Sequence, residues 1–460
     1  MSVAVDRKTL GQANNFGLSR ANMKHMSEVY LPLTDHRSSN KKRRKGKKGS
    51  KSKKQSMSMT SVFKIEDAEY FQEKNSFYQT RKKLTKLPSL TSFNPGTPTR
   101  LTTPPCRSIP KLPTDSQIFA HERRKKVPLL SAIKPENERS EKDRFMRANF
   151  NYNPFFIYRF PADPDVLQKF GEPSSLFMQQ AILIMEKALE KYGTYEEFEE
   201  VTGGKVLPKG QIMGIIKRYL QYENLEDDIG VNLSDELLSR GSMTRSMGRP
   251  MLNVRTINLR EFWLEGLLRH EIGTHYIRSY NNKFQPWSNW KVRKEMGLLS
   301  INPTEEGFAS LHSVLFRKMP LLWRAAVLYY TTYKATFLSL KELFQDLGRF
   351  VKDPNVRWDY CIRAKRGQVD TSLPGAFCKD QVYLDGALQI LKYRNVIDFS
   401  LLVRLGKISF QDIDKAIGYA NLENTKIPFF MEDMEQYHRH LDRIAETNGL
   451  TRDVLADLPI

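Results

Sequence analysis

The sequence is poor in cysteine, with Cys106, Cys361 and Cys378 the only three among 460 residues. The number is odd and the sequence contains no C-x-x-C pair. Neither a disulfide framework nor a zinc cluster built on thiolates is therefore expected. Such sparse cysteine usage fits a reducing compartment, so we expect an intracellular protein.

The sequence also lacks a long apolar run. The longest apolar stretch, residues 325–340, carries Lys334 in its middle and falls short of the roughly 20 residues that span a bilayer. The first thirty residues include several charges and no apolar block of the length found in a secretory signal. We therefore expect a soluble protein that makes no contact with membranes.

Positive charge is abundant and concentrated in one part of the chain. Residues 1–140 hold 30 basic and 11 acidic residues, whereas residues 141–460 hold 43 and 41. The run KKRRKGKKGSKSKK at residues 41–54 repels itself, and a stretch rich in proline, threonine and serine follows at 87–113. These features predict a long disordered basic arm over residues 1–140 and a folded domain over 141–460.

Helical periodicity dominates the predicted folded domain. Asn302 is expected to cap one of the helices, with Pro303 in its first turn. The helical stretches are 175–192, 258–278, 303–317, 321–350 and 431–448, and short strand-like pieces occur at 205–207 and 251–257. The fold class predicted from this pattern is α+β, mainly helical with a small sheet.

The segment HEIGTH at residues 270–275 has the composition of a zinc-peptidase motif. His270 and His275 are candidate ligands of one zinc ion, and Glu271 is a candidate catalytic base. Residues five apart lie roughly 140° apart on a regular α-helix, too far to bind one ion. We therefore predict a π-bulge or break near Gly273. By itself the motif leaves open the alternative that His270 and His275 are two unrelated histidines on a helix.

Glu306 is the candidate third ligand. It lies 31 residues after His275, early in a new helix, in the context NPTEEGFA. The distal glutamate of gluzincin peptidases occurs in a similar N-E-G-F-A setting. Glu305 is the competing choice, although the Gly-Phe-Ala that follows favours Glu306. His312 is expected to support the ligands from outside their set, or to be a core histidine, rather than to bind the metal itself.

Three segments together resemble the microtubule-associated tyrosine carboxypeptidases, which remove the C-terminal tyrosine of α-tubulin. The segments are LEGLLRHEIGTHYIR, NPTEEGFASLHSVLFRK and RWDYCIRAKRGQVDTSLPGAFCKDQVYLDG. The resemblance extends over residues 143–460, and within the family the chain looks like the second of two vertebrate paralogues. It implies a zinc metallocarboxypeptidase domain with His270, His275 and Glu306 as ligands of one Zn²⁺ and Glu271 as base. The α-tubulin tail and the microtubule surface are the implied partners, in the cytoplasm and on the cytoskeleton.

Residues 357–379 form a basic, loop-like segment that could bind the acidic tail. Arginine and lysine are the side chains best suited to a free carboxylate. We expect Arg363, Arg366 or Lys379 to hold the terminal carboxylate or an upstream glutamate, although a solvated charged loop remains an alternative. Tyr383 is a candidate for polarising the scissile carbonyl, or alternatively a structural tyrosine.

Two other functions remain open from the residues. The first is a non-catalytic protein that binds microtubules or nucleic acid and keeps a relict zinc site. Glu271 speaks against it, because a structural zinc site needs no base, and nucleic acid is the less favoured partner. The second is a zinc peptidase of other specificity, such as an aminopeptidase, which would need an acidic anchor. The sequence has no heptad pattern, so we expect a monomer.

Overall fold

Helices make up most of the structure, a computed structural model that describes residues 129–159, 164–235, 237 and 239–460. These residues belong to one compact unit, Pro113–Ile460. The predicted arm lies largely in residues 1–128, outside the described residues, so its disorder and its boundary at residue 140 stay predictions. Within the described part, Ile133 is fully buried and Asn137 bonds to the backbone of Phe155 and Ile157.

A group of helices precedes the sheet and packs around an apolar core. The core side of this group includes Phe145, Phe177, Ile184 and Phe198, all almost fully buried. The helices are α1 (Leu129–Ala132), α2 (Glu138–Arg147), α3 (Pro164–Lys169), α4 (Met178–Tyr192), α5 (Tyr195–Gly203) and α6 (Lys209–Tyr222). The observed α4 confirms the helix predicted over residues 175–192.

The sheet has three strands, β1 (Gly230–Ser234), β2 (Gly241–Ser246) and β3 (Arg249–Arg255), in the order β1-β3-β2. β1 pairs with β3 in parallel and β2 pairs with β3 in antiparallel fashion. Met247 (φ 50°) and Gly248 (φ 81°) form the two-residue β2–β3 turn, in which both left-handed residues match the twist of a hairpin. In the order β1-β3-β2, β2 is an edge strand of the sheet.

The helix predicted over residues 258–278 consists of three parts: α7 (Glu261–Leu268), a π-helix (Arg269–Tyr276) and α8 (Ile277–Asn282). The π-helix confirms the predicted distortion between His270 and His275. Gly273 serves close packing here, because a Cβ atom would lie 2.6 Å from a ring carbon of Phe430 and 2.9 Å from the hydroxyl of Tyr219. The wider turn brings residues five apart onto one face.

The regular elements of the C-terminal part are α-helices and short 3₁₀ turns, joined by loops. Its central helix is α11, in which most side chains are buried. The helices are α9 (Trp290–Glu295), α10 (Asn302–Val314), α11 (Trp323–Ala335), α12 (Leu340–Leu347), α13 (Pro354–Ala364), α14 (Val382–Tyr393), α15 (Phe399–Arg404), α16 (Ile413–Ile417), α17 (Met434–Thr447) and α18 (Arg452–Ala456). None of the helices in the described ranges is long and apolar enough to cross a membrane.

α10 and α14 meet at two glycines. A Cβ atom on Gly307 would lie 2.1 Å from the carbonyl carbon of Gly386, and one on Gly386 would lie 1.7 Å from the carbonyl oxygen of Pro303. No side chain fits between the two backbones, so their spacing is set by main-chain contact. Glu306 directly precedes Gly307, and this contact therefore fixes the position of the candidate third ligand.

Three local predictions were wrong. The single helical stretch at 321–350 is split into α11 and α12, because Ser339 and Glu342 form a capping box that starts a new helix. The strand predicted at 205–207 is only an isolated bridge between Val206 and Arg260. Asn302 is the first residue of α10, and Ile301 occupies the capping position. The strand predicted at 251–257 corresponds to β3, shifted by two residues.

Candidate metal centre

Two helical segments bring His270, His275 and Glu306 together. The π-helix carries both histidines, and the first turns of α10 carry the glutamate. One side-chain ligand atom from each residue lies within 4.8 Å of the others. Nε2 of His275 is 3.2 Å from Nε2 of His270 and 3.5 Å from a carboxylate oxygen of Glu306. The residues predicted as ligands from sequence thus form one cluster.

The chemistry of this cluster fits a zinc ion. Two nitrogens bound at 2.0–2.1 Å to a tetrahedral ion are about 3.3 Å apart, close to the separation of the two imidazole nitrogens. Glu306 Oε2 is buried and has no hydrogen-bond partner among the described residues, a costly arrangement unless a ligand satisfies it. Burial alone would lower the pKa of His275, but the carboxylates of Glu305 and Glu306 raise it. The cluster therefore favours a positive charge.

Glu305 orients His275 from outside the candidate ligand set. Its carboxylate lies 2.8 Å from Nδ1 of His275 and accepts a 2.7 Å hydrogen bond from the fully buried Arg278. Lys407 contacts the same carboxylate. Burial by itself would raise the pKa of Glu305, but Lys407 and Arg278 hold it well below its usual range. A carboxylate on the second nitrogen fixes the tautomer and ring orientation of a ligating histidine.

His312 is a buried structural residue, as the sequence predicted. Its Nδ1 is 2.8 Å from the hydroxyl of Thr274, and its Nε2 is 2.9 Å from the hydroxyl of Tyr437. The Thr274 hydroxyl in turn donates to the carbonyl of Arg269. Burial keeps the pKa of His312 well below its usual value, so the ring is neutral. This chain of bonds ties the π-helix to α10 and α17.

A cleft of about 640 Å³ opens over the cluster, and β2 lies along it. Glu271 lines the cleft with its carboxylate 4.0 Å from Nε2 of His270, and burial raises the pKa of that carboxylate. The charged lining consists of Arg245, Lys283, Arg363, Arg366, Lys379 and Lys407 on the basic side and Glu271, Glu305, Glu306 and Asp380 on the acidic side. The basic side chains outnumber the acidic ones, which suits an acidic ligand.

All four predicted substrate contacts line this cleft. Arg363 and Arg366 both bond to one oxygen of Asp380 at 2.8 Å, so the pair is partly neutralised. Lys379 is close enough to Glu306 to lower the pKa of that carboxylate. The ring of Tyr383 is 6.5 Å from that of His270, and burial raises the pKa of its hydroxyl. Their roles as substrate contacts stay predictions.

Several polar residues around the centre were missed from sequence. Arg278 and Lys407, which lie 27 and 102 positions from Glu305 in the sequence, both contact its carboxylate. Asp380 forms ion pairs with Arg363 and Arg366. Of these, only Arg278 had a local signal, because it lies three residues after His275. The others depend on contacts between distant segments, which a single sequence does not display.

The geometry defines a three-residue centre able to hold a metal, next to a buried carboxylate. A family model described as microtubule-associated tyrosine carboxypeptidase matches residues 165–448, which include all four of these residues. The chain belongs to this family.

Individual relatives agree with this assignment. The chain is 54% identical to the tyrosine carboxypeptidase MATCAP2 of Mus musculus over 334 residues. These residues make up 73% of this chain and 64% of the relative. It is 49% identical to the human microtubule-associated tyrosine carboxypeptidase 1 over 354 residues, 77% of this chain and 75% of that protein. The Mus musculus form of the latter is 45% identical over 402 residues, 86% of this chain and 85% of that protein. The sequence identities to the two paralogues fall in overlapping ranges. The assignment of this chain to the second paralogue therefore stays a prediction.

Proposed function

We propose that this protein is a zinc metallocarboxypeptidase that removes the C-terminal tyrosine from α-tubulin, preferably in microtubules. The observation that carries the proposal is the cluster of His270, His275 and Glu306 beside Glu271 in a basic cleft. The relatives, microtubule-associated tyrosine carboxypeptidases by name, support the substrate class.

His270, His275 and Glu306 would hold the zinc ion. The bound ion would act as a Lewis acid and lower the pKa of a coordinated water. Glu305, held by Arg278 and Lys407, keeps the imidazole of His275 turned toward the cluster. The close contact of α10 with α14 keeps Glu306 in place.

Glu271 acts as the proton carrier. Its carboxylate takes a proton from the attacking water and returns it to the leaving amine of the tyrosine. Burial raises its pKa and so makes it a stronger base than an exposed glutamate. The hydroxyl of Tyr383, whose pKa burial also raises, stays protonated and donates a hydrogen bond to the scissile carbonyl.

The tail would lie in the cleft as an extended segment. β2 is an edge strand of the sheet and contributes Ser242, Met243, Thr244 and Arg245 to the cleft wall. An extended peptide can pair with such an edge through its main chain. The surplus of basic side chains then attracts the glutamates that precede the terminal tyrosine.

Replacing Glu271 with glutamine tests this mechanism. We expect Glu271→Gln to reduce tyrosine release by at least 100-fold, since general base catalysis contributes that much, and to leave bound zinc nearly unchanged. Release is measured by mass spectrometry of a tail peptide, and zinc by elemental analysis of the purified protein. Glu265→Gln on α7 is the matched control, because Glu265 is a half-buried glutamate whose pKa is also raised by burial but which does not line the cleft.

Three results would contradict the proposal. Undiminished release by Glu271→Gln would remove the assigned base. Wild-type protein that contains no zinc would remove the metal. Loss of residues from the amino end of the peptide would indicate an aminopeptidase instead.

A further inference from the structure

A second, smaller cavity lies behind the metal centre. Its volume is about 140 Å³, and it shares His270, Glu271, Arg363 and Tyr383 with the wall of the open cleft. The remaining wall combines aromatic and aliphatic side chains with three further arginines. It includes Phe198, Trp263, Leu321, Trp323, Leu328 and Arg240, Arg317, Arg324.

The arginines of this cavity carry more positive charge than the surrounding carboxylates neutralise. Arg240 has a partner, because it bonds to Glu199 at 3.1 Å. Arg317 stacks on the indole ring of Trp263 at 4.6 Å, and its buried Nε has no hydrogen-bond partner in the described part of the chain. The strongest charged neighbours of Arg324 are the like charges of Arg363 and Arg240. Arg317 and Arg324 are half-buried, and a guanidinium partly removed from water without a counter-charge is costly, so an anion is expected in this space.

The apolar wall and the volume indicate what that anion carries. An apolar cavity of about 150 Å³ takes up one benzene molecule. The cavity is therefore the size of one aromatic ring, and its lining includes the indoles of Trp263 and Trp323 and the side chain of Leu328. Buried donors also lack acceptors here, since Nε1 of Trp323 is unpartnered as well. A ligand with one ring, a carboxylate and a further acceptor satisfies these requirements.

We propose that this cavity receives the C-terminal residue of the substrate and that Arg324 binds its α-carboxylate. The inference rests on the proposed function and assigns a pocket within the same site. His270 and Glu271 line both spaces, so a scissile carbonyl beside them places the next residue of the chain in the cavity. Arg363 and Arg366 are partly neutralised by Asp380 and support the tail upstream of this residue.

Binding to a protein that does not cleave the peptide tests the pocket directly. In the Glu271→Gln background, the affinity of an acidic peptide ending in tyrosine is measured by calorimetry, with a free carboxylate and with a C-terminal amide. We expect the free acid to bind more tightly. Adding Arg324→Met should weaken binding of the free acid by about tenfold or more and leave the amide unchanged, because only the charge-assisted bond is lost.

Arg245→Met is the matched control. It removes the same charge from the open cleft, where Arg245 lines the wall outside the small cavity. This variant should weaken both peptides by the same factor. A second measurement guards against misfolding: removing a half-buried charge that has no counter-charge should leave the melting temperature of Arg324→Met equal to or above that of its parent. A peptide ending in alanine should bind more weakly than one ending in tyrosine or phenylalanine.

Two results would overturn the assignment. One is equal binding of acid and amide by the parent protein. The other is equal weakening of both peptides by Arg324→Met. The proposed function is tested separately by tyrosine release from wild-type protein. Release without any effect of Arg324→Met would refute the pocket alone, whereas selective binding without release would refute the hydrolase and leave the pocket standing.

Discussion

Glu305 and Glu306 are adjacent in sequence but differ in what they contact. The carboxylate of Glu306 faces the two imidazoles and has a buried oxygen without a hydrogen-bond partner in the described part of the chain. The carboxylate of Glu305 is fully engaged by His275, Arg278 and Lys407. Successive residues on a helix point about 100° apart, and this rotation separates the candidate ligand Glu306 from Glu305, which contacts the candidate ligand His275.

A substitution at Glu305 should therefore affect the metal indirectly. We expect Glu305→Gln to lower zinc affinity 10- to 100-fold, as is typical for the loss of a carboxylate that holds a ligating histidine. It should also lower the free energy of unfolding, because Arg278 is left buried without its counter-charge. Zinc affinity is measured by competition with a chromophoric chelator.

The control for this prediction is Glu265→Gln, at a half-buried glutamate outside the metal centre. It should leave zinc affinity unchanged. An unaltered zinc affinity in Glu305→Gln would show that His275 keeps its orientation without the carboxylate.

The sequence predicted which candidate ligands and base the structure brings together, but not the residues that contact them. His270, Glu271 and His275 form a local motif, and the Gly-Phe-Ala context favoured Glu306 over Glu305. The partners of Glu305 and the arginines around Trp263 are spread over more than a hundred residues. Their roles follow from packing in three dimensions, for which a single sequence has no periodic signal.

Among the elements, α10 depends on main-chain contact with α14. Gly386 lies where a Cβ atom would overlap the carbonyl oxygen of Pro303. We expect Gly386→Ala to reduce the free energy of unfolding by about 1–3 kcal/mol or more, because two backbones must separate to admit the methyl group. Zinc affinity should fall too, since Glu306 moves with α10. Urea unfolding followed by circular dichroism measures the change in stability.

Gly214→Ala is the matched control in the middle of α6. A Cβ atom there meets no other atom within 4 Å. Because residue 214 is exposed, alanine should stabilise the helix at this position by about 0.5–1 kcal/mol through its lower backbone entropy in the unfolded chain. Equal effects of the two substitutions would mean that the α10–α14 contact does not limit the side chain at residue 386.

The elements themselves were predictable to different degrees. The strongly periodic helices and the π-distortion followed from the spacing of apolar residues and histidines. The split between α11 and α12 was missed although its signal is local, the S-x-x-E pattern of Ser339 and Glu342. β1 and β2 were missed because they are short and only half-buried, and strand pairing joins segments that are distant in sequence.

The charge of the whole molecule is divided between two regions of the sequence. Residues 1–140 hold most of the net positive charge, and residues 141–460 are nearly balanced. If the basic region attracts the acidic microtubule surface, binding and cleavage should be separable. Long-range attraction of this kind is screened by salt.

A chain that begins at residue 129 tests this separation and keeps the buried Ile133 and the bonds of Asn137. We expect its microtubule affinity at low salt to fall at least tenfold, because the basic residues that attract the surface are gone. Its cleavage of a free tail peptide should change less than twofold. Cosedimentation with microtubules and tyrosine release from the peptide are the two measurements.

Mutating the basic residues of 41–54 to serine in the full chain is the control for loss of length. It should reproduce the loss of microtubule binding. Equal losses in binding and in peptide cleavage would argue against a separate docking region.

The extra residue between His270 and His275 also determines the direction in which the side chains of the following helix, α8, point. Shortening this segment by one residue would restore the commoner four-residue spacing of the two histidines. It would also rotate α8 by about 100° about its axis and turn Arg278 away from Glu305. The five-residue spacing of the histidines and the contact of Arg278 with Glu305 therefore depend on each other. A change to the commoner spacing would break the contact that supports His275.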